Sequence, residues 1–450
     1  MKILIPWLLA FASFLPGAEF EIVVAPRATV VEHEGITGGG YPVFAGERTF
    51  VIYPNHPDDF GGSAGTGSAQ SENGSLTWNR GADGWPMPKM IDQWVDQLEN
   101  GDLLAVGIRW VPDPQKRRDV TPQKVPADAW QIAISQDRGR SWTIANAAID
   151  CPPELGIITR PLPHIIEDKN GVLLMPAYAW SNRGNRAVLL QSEDRGRHWT
   201  VRSVVTTAIA MIEAGAKVST PWLETTVSPT KDGALLAIVR TGSNTGSSLV
   251  TVRSTDAGKT WGAPEKLPFA GKLPTLHLLT NGALTLVTAL SKNHCRLYLS
   301  EDGTGRVWGD GHIITSLSGG NVGVSMAGAD KLIITTPSLR RINAWNVRIG
   351  PRSEVASDVA VPTNIGFSKG ELTWTASAGA AAYRVTPVLI KLGPAYTETD
   401  ILPYATIQTR DASTRLELGR QLLPGSTYLF EISAVDHDGQ VSPTVHSEIF

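Results

Sequence analysis

A short segment recurs five times along the first three-quarters of the chain, and a fold that accommodates it must offer five equivalent places. Three copies are complete: Ser135 to Trp142 with Asp137 and Gly139, Ser192 to Trp199 with Asp194 and Gly196, and Ser254 to Trp261 with Asp256 and Gly258. Two are degenerate: Ser71 to Trp78 has Asn73 and Ser75 at the Asp and Gly places, and Ser300 to Trp308 carries one extra residue around Asp302 and Gly305. Asp bonds nearby backbone N–H groups, Gly supplies a positive φ, and Trp packs the base of the turn, so each box is a device for joining two strands. A catalytic or metal-ligating reading of the box Asp residues would require five equivalent sites in one chain.

A second punctuation mark precedes the boxes. Asn100-Gly101, Asn170-Gly171, Asp232-Gly233 and Asn281-Gly282 are hairpin signals flanked by strand-like runs such as Ala234-Leu235-Leu236-Ala237-Ile238-Val239. From Gly171 to Ser192 is 21 residues, and from Gly233 to Ser254 is again 21. Each unit therefore reads strand, tight turn, strand, loop, strand, box, strand, which is a four-stranded propeller blade. Composition agrees: 44 Gly, 30 Pro and 14 Trp favour short strands and turns, and 42% hydrophobic with 18% charged residues gives a globular core. A net charge of −3 excludes a polybasic nucleic-acid binder.

The start of the chain, Met1-Lys2, the apolar run Ile3 to Leu15 and then Pro16-Gly17-Ala18, has the layout of a secretory signal. Residues 1–18 are assigned to it, and a secreted or periplasmic protein is expected. The run is shorter than the ~20 residues of a membrane helix, so no membrane insertion is expected. Cys151 and Cys295 belong to different repeats and are expected to stay separate. No His/carboxylate spacing forms a local metal motif, and the expectation is a monomer with neither metal nor cofactor.

The boxes resemble the Asp-box (BNR) repeats of the sialidase (neuraminidase) superfamily. That resemblance implies an all-β chain with a six-bladed β-propeller over residues 19–355. The five boxes mark blades one to five, and Asn321 to Ile349 forms a sixth without a box, closed by an early strand around Glu21 to Val30. After Pro351 the pattern changes. Leu372-Thr373-Trp374, Tyr383 and the run from Leu423 through Tyr428 to Ala434 resemble a fibronectin type III β-sandwich over residues 356–450, with Trp374 as core aromatic and Tyr428 as tyrosine-corner residue.

In a propeller, residues that open each first strand and end each second strand meet on one face around the axis, where ligands bind. Counting back from the turns nominates Tyr41, Asp92, Asp96, Arg160, His164, Glu224, His277 and Asn321. If Lys231-Asp232-Gly233 forms a three-residue loop, Thr230 pairs with Ala234 and Glu224 falls opposite Arg240. The resemblance implies that Glu224 assists a nucleophile and that Arg240 binds a substrate carboxylate; a structural ion pair is the alternative. It also places Asp58 and Asp59 in the loop that carries the general acid. Departures are equally visible. Gly40-Tyr41-Pro42-Val43 stands where the family has an Arg-Ile-Pro motif, Lys292, His294 and Arg296 stand near the place of its third arginine, and Gly320-Asn321 stands where it has a nucleophilic tyrosine. Without that tyrosine the retaining route loses its covalent step, leaving Glu224 or Asp92 as acid or base. His164 and His277 each precede a hairpin turn, and with Arg160 they form a second candidate set converging with Glu224.

The expected activity is that of a sialidase-like glycoside hydrolase on a terminal acidic sugar of a glycan or polysaccharide. The alternatives are a non-catalytic carbohydrate-binding propeller and a polysaccharide lyase on the same scaffold.

Overall fold

The strand runs on either side of the paired-residue turns are apolar at every position rather than at alternate ones, which requires strands covered on both faces. The computed structural model describes residues 20–25, 27–32, 40–46, 48–54, 66–75, 77–80, 85–87, 90, 92–108, 129–180, 184–219, 222–242, 247–290, 294–315, 321–338, 341–351, 359–391, 393–395, 407–418, 422–437, 442, 444–448 and 450. Within residues 20–351 it forms six sheets. Sheet one comprises Tyr41–Ala45, Arg48–Pro54, Thr66–Ser71 and Asn79–Arg80. Sheet two comprises Asp92–Gln97, Leu103–Ile108, Trp130–Ser135 and Thr143–Asn146. The first strands of sheets three to six are Ile157–Pro161, Thr225–Pro229, Lys272–Leu278 and Gly323–Gly328.

The first strands of sheets one and two, two and three, four and five, five and six, and six and one lie beside each other. The first strand of sheet four lies beside the second strand of sheet three, Leu173–Trp180. This is the inner ring of a propeller. Between each pair of neighbouring sheets lies a separate hydrophobic core. Leu173, Met175 and Ala177 face sheet two while Leu174 and Tyr178 face sheet four, and Leu235, Ala237 and Val239 face sheet three while Leu236 and Ile238 face sheet five. Period-2 alternation is present, but both faces are core, which accounts for the continuous apolar runs.

The ring closes through the start of the chain. Phe20–Val24 and Ala28–Glu32 both pair antiparallel with Arg341–Pro351 of sheet six, so sequence-distant segments seal one edge of the sheet. Two features of sheet three are not visible in the repeat. Ala148–Asp150 adds a parallel strand beside His198–Thr207, and a short helix Ala208–Glu213 follows, capped by the Thr207 hydroxyl accepting from the Ala210 N–H at 3.1 Å.

All five boxes lie between the third and fourth strands of their sheets. In the second, the Ser135 hydroxyl donates to Asp137 Oδ1 at 2.8 Å and accepts the Gly139 N–H at 2.7 Å, while Asp137 Oδ1 also accepts the Ser141 N–H at 2.8 Å. The residue before glycine shares its left-handed conformation, with φ +60° at Arg138 and +81° at Gly139. The Ser141 hydroxyl and N–H hold the Asp137 carboxyl well below the usual carboxylate range, and the Thr260 hydroxyl and N–H do the same for Asp256. These carboxylates are committed to turn structure.

Beyond residue 358, a three-stranded sheet (Thr363–Ser368, Glu371–Thr375, Arg415–Glu417) and a four-stranded sheet built on Ala382–Lys391 and Thr427–Val435 share one core around Trp374, Tyr383 and Phe430. The Tyr428 hydroxyl accepts the Leu423 N–H at 2.8 Å. The Thr444 N–H donates to the Val24 carbonyl at 3.1 Å, tying this unit to sheet six. Cys151 and Cys295 are both free thiols.

Candidate functional site

Sheet four delivers the first group. The Thr230 N–H donates to the Ala234 carbonyl and the Arg240 N–H to the Glu224 carbonyl, at 2.9 and 2.8 Å, so the hairpin has the three-residue loop and places Glu224 and Arg240 side by side. Arg240 Nη1 donates to Glu224 Oε1 at 2.5 Å, and Arg240 Nε donates to the Gly242 carbonyl at 3.0 Å. The second carboxylate oxygen, Glu224 Oε2, accepts the Leu273 N–H from sheet five at 2.8 Å. Leu273 turns that N–H inward through a break in register between Lys272 and Thr275, with its own φ at +41°. Both side chains are buried, with Glu224 4% and Arg240 7% exposed. Both oxygens of the Glu224 carboxylate are therefore engaged as acceptors of charge-assisted and backbone hydrogen bonds.

The second group gathers at the axis. His164 Nδ1 bonds Asp96 Oδ1 at 2.6 Å, and Asp96 Oδ2 accepts the Ile165 N–H at 2.9 Å. The His164 and His277 rings are in contact, with centroids 4.3 Å apart and planes tilted by 53°. Burial pushes the His277 imidazole well below the ordinary histidine value, the neighbouring His164 pushes it further, and a hydrogen bond to the Val324 backbone opposes them. Asp96 stands on sheet two, His164 follows the first strand of sheet three, His277 lies on sheet five and Val324 on sheet six. The two histidines thus converge with Asp96 and with each other. No described contact joins them to Glu224: Glu224 lies opposite Arg240 beyond the open end of its strand pair, whereas His277 pairs with Thr285 near the hairpin turn.

A third group is aromatic. Arg160, paired in register with Tyr178, holds its guanidinium 5.8 Å from the Trp222 ring centroid. Trp222 also contacts Trp180, centroid to centroid 4.8 Å, two residues before Glu224. Tyr41 meets Trp94 at 4.1 Å, and Trp94 Nε1 donates to the Pro161 carbonyl at 2.9 Å, linking sheets one, two and three. Asn321 is half-buried just before the first strand of sheet six.

Of the nominated residues, Asp92 opens its strand opposite Ile108, but its side chain lies outside the described part of the structure. Asp58, Asp59 and Lys292 also lie outside the described residues, as does the side chain of His294. Sequence reasoning did not find Trp222, Trp180 or the Leu273 N–H. The Trp222-Leu223-Glu224 spacing is a signal for the first; the N–H had none, because its direction comes from a local break in pairing. Among the described residues, no group of three or more His, Cys, Asp or Glu side chains is arranged to hold a metal ion.

Residues 119–341 match the BNR repeat-like domain family. The fold is sialidase-like. Among solved structures the chain is similar to a Dyadobacter fermentans DSM 18053 protein of unknown function, at 16% identity over 73% of this chain and 99% of that one with a TM-score of 0.56. It is similar to a Hadza microbial sialidase at 16% identity over 69% of this chain, with a TM-score of 0.54, and spans 65% of that sialidase. A Penicillium chrysogenum α-L-arabinanase follows at 15% identity over 74% of this chain and 99% of that one, with a TM-score of 0.47. No curated protein matches. Similarity at this level speaks to the fold and leaves the chemistry to the residues.

Proposed function

We propose that the chain is an exported, sialidase-like glycoside hydrolase acting on a terminal acidic sugar of a glycan. In this reading the six sheets are the blades of a six-bladed propeller, residues 356–450 are a fibronectin type III-like spacer, and residues 1–18 are a signal peptide. The observation that carries it is the buried Glu224–Arg240 ion pair at the inner strand of sheet four, with Trp222, two residues before Glu224, meeting the Arg160 guanidinium of sheet three. A carboxylate and guanidinium withdrawn from water offer a fixed field to an incoming acidic sugar, and an indole face suits the apolar side of a pyranose. Arg160 supplies positive charge toward the sugar carboxylate, Asn321 a neutral hydrogen-bonding side chain, and Asp58, Asp59 or Asp92 the proton for the leaving oxygen. A non-catalytic glycan-binding propeller is the second reading, favoured by one observation: both Glu224 oxygens are already engaged.

The test is a screen of fluorogenic sialosides, uronides and neutral glycosides with the purified full chain and with Glu224→Gln. Turnover of an acidic glycoside, abolished by the substitution, supports hydrolysis. Binding without turnover on all three classes supports the lectin reading, and a product carrying a new double bond replaces hydrolysis with elimination.

A further inference from the structure

A β-sandwich buries the inner face of each sheet, and the residues that alternate with that face point outward to water. On the strand Thr427–Val435 the inner residues are Tyr428, Phe430, Ile432 and Ala434, which share the core with Trp374. The outward residues Leu429, Glu431, Ser433 and Val435 are nonetheless all buried, with Glu431 only 4% exposed. Thr386, the register partner of Glu431 on the neighbouring strand, is buried as well. A further layer therefore covers this face, and a carboxylate lies beneath it. A charged side chain withdrawn from water needs an opposite charge close by.

The covering layer includes the segment that closes the propeller ring. The Thr444 N–H, just before the edge strand Val445–His446, donates to the Val24 carbonyl at 3.1 Å, and the Thr444 and Ser433 hydroxyls share a hydrogen bond at 2.9 Å. Val24 ends the first closing strand and Ala28 begins the second, and both strands pair with Arg341–Pro351 of sheet six. Arg27 lies between them, half-buried. Burial pushes its guanidinium below the ordinary arginine value, the negative charge of Glu431 opposes that, and the positive charge of Arg341 adds to it. Arg341 in turn bonds its register partner Glu32 at 2.9 Å. The seam of the ring thus presents Arg27 and Arg341, and the sandwich meets it with Glu431 and a backbone tie.

We propose that the C-terminal sandwich is a clasp on the ring seam: its outer sheet face, through Glu431 and Thr444, holds Val24 and Arg27 and so locks both closing strands onto sheet six. The role goes beyond that of a spacer and does not rest on which sugar the propeller takes. Each closing strand has five residues and hangs on one edge of a sheet, an arrangement that frays unless a second unit docks on it. Sheet six also brings Asn321 and Val324 to the axis, so the seam and the ligand face share one sheet. Releasing the clasp loosens the ring at the point where sequence-distant segments meet.

Hydrogen–deuterium exchange of the full chain, read by mass spectrometry, tests this from both sides. Glu431→Lys sets another positive charge against Arg27 and Arg341, and exchange is expected to rise about 10–100-fold in peptides covering Phe20–Val24 and Ala28–Glu32, which belong to the other unit. Arg27→Glu is expected to raise exchange by a similar factor in peptides covering Thr427–Val435 and Val445–His446. The charge swap, Arg27→Glu with Glu431→Arg, restores opposite signs and is expected to bring both regions back toward the parent rates. Peptides covering Leu235–Val239 of sheet four are expected to keep the parent rate in every variant, which separates release of the seam from a general loss of stability. Where Glu431→Lys does not fold, Glu431→Gln gives the same comparison with a smaller rise. An effect confined to the unit that carries the substitution overturns the proposal. So does a rise of equal size in sheet four, or a charge swap that exchanges as fast as the single variants. No substrate enters the measurement, so loss of the clasp leaves the glycan reading standing, and failure of the glycoside screen leaves the clasp.

Discussion

Replacing Glu224 with Gln keeps the shape of the side chain and removes its charge, leaving Arg240 charged and only 7% exposed. Two unit charges about 4 Å apart attract by about 4 kcal/mol at an effective dielectric of 20, and desolvation offsets much of that when the pair forms. Breaking it is different, because the surviving charge stays out of water uncompensated, at a cost of about 3–5 kcal/mol. Glu224→Gln and Arg240→Met are each expected to lose that much. The double variant buries neither charge and is expected to recover about 1–3 kcal/mol relative to the sum. Glu224→Leu separates a further contribution: it strips the acceptor from the Leu273 N–H and adds about 1–3 kcal/mol to the loss seen with Gln. Urea unfolding followed by tryptophan fluorescence measures all four variants, since Trp222 lies two residues from the substitution. Single losses below about 1 kcal/mol that add in the double variant are the behaviour of an exposed pair, and would refute the buried-pair reasoning.

Acid stability is the next expectation. His277 is held below its ordinary value, so the unfolded chain binds the proton more readily; the stability present above about pH 6.5 falls as pH drops, by up to about 1.4 kcal/mol per pH unit, and His277→Gln flattens that limb of a pH–urea midpoint series. Ser192→Ala removes the acceptor for the Gly196 N–H and the donor to Asp194 in a buried turn, and should cost about 1–3 kcal/mol by the same urea assay. Gly258→Ala puts a methyl 2.6 Å from Leu189 Cδ2 at a φ of +78°, so it adds an inter-sheet clash to a left-handed backbone cost of about 1–2 kcal/mol and should lower the thermal midpoint. Cys151 is partly exposed and Cys295 fully buried; a thiol reagent should modify one cysteine in the native chain and both after denaturation, with no change on prior reduction.

Much of the fold was legible because it rests on local chemistry. A box such as Ser254 to Trp261 closes its own hydrogen bonds within eight residues, and the Lys231-Asp232-Gly233 turn dictates the register that sets Arg240 against Glu224. Sheet three shows where that legibility stops: the parallel strand Ala148–Asp150 has no turn signal, since its pairing with His198–Thr200 is made across a long stretch of intervening chain. The candidate site divides the same way. Glu224 and Arg240 were readable as hairpin neighbours, while the Leu273 N–H that occupies the second Glu224 oxygen arrives from another sheet. The histidines were nominated from their distance to turns and expected to meet Glu224, yet their partners are Asp96, Val324 and each other.

The sequence by itself determined the repeat, the turn chemistry and which residues face inward along each strand, because those depend on periodicity and on bonds a few residues long. Only the tertiary structure decided which inward residues meet. Asp96, His164, His277 and Val324 come from four sheets separated by long stretches of sequence, and their contact is a property of ring closure, which brings together strand ends that no local rule relates.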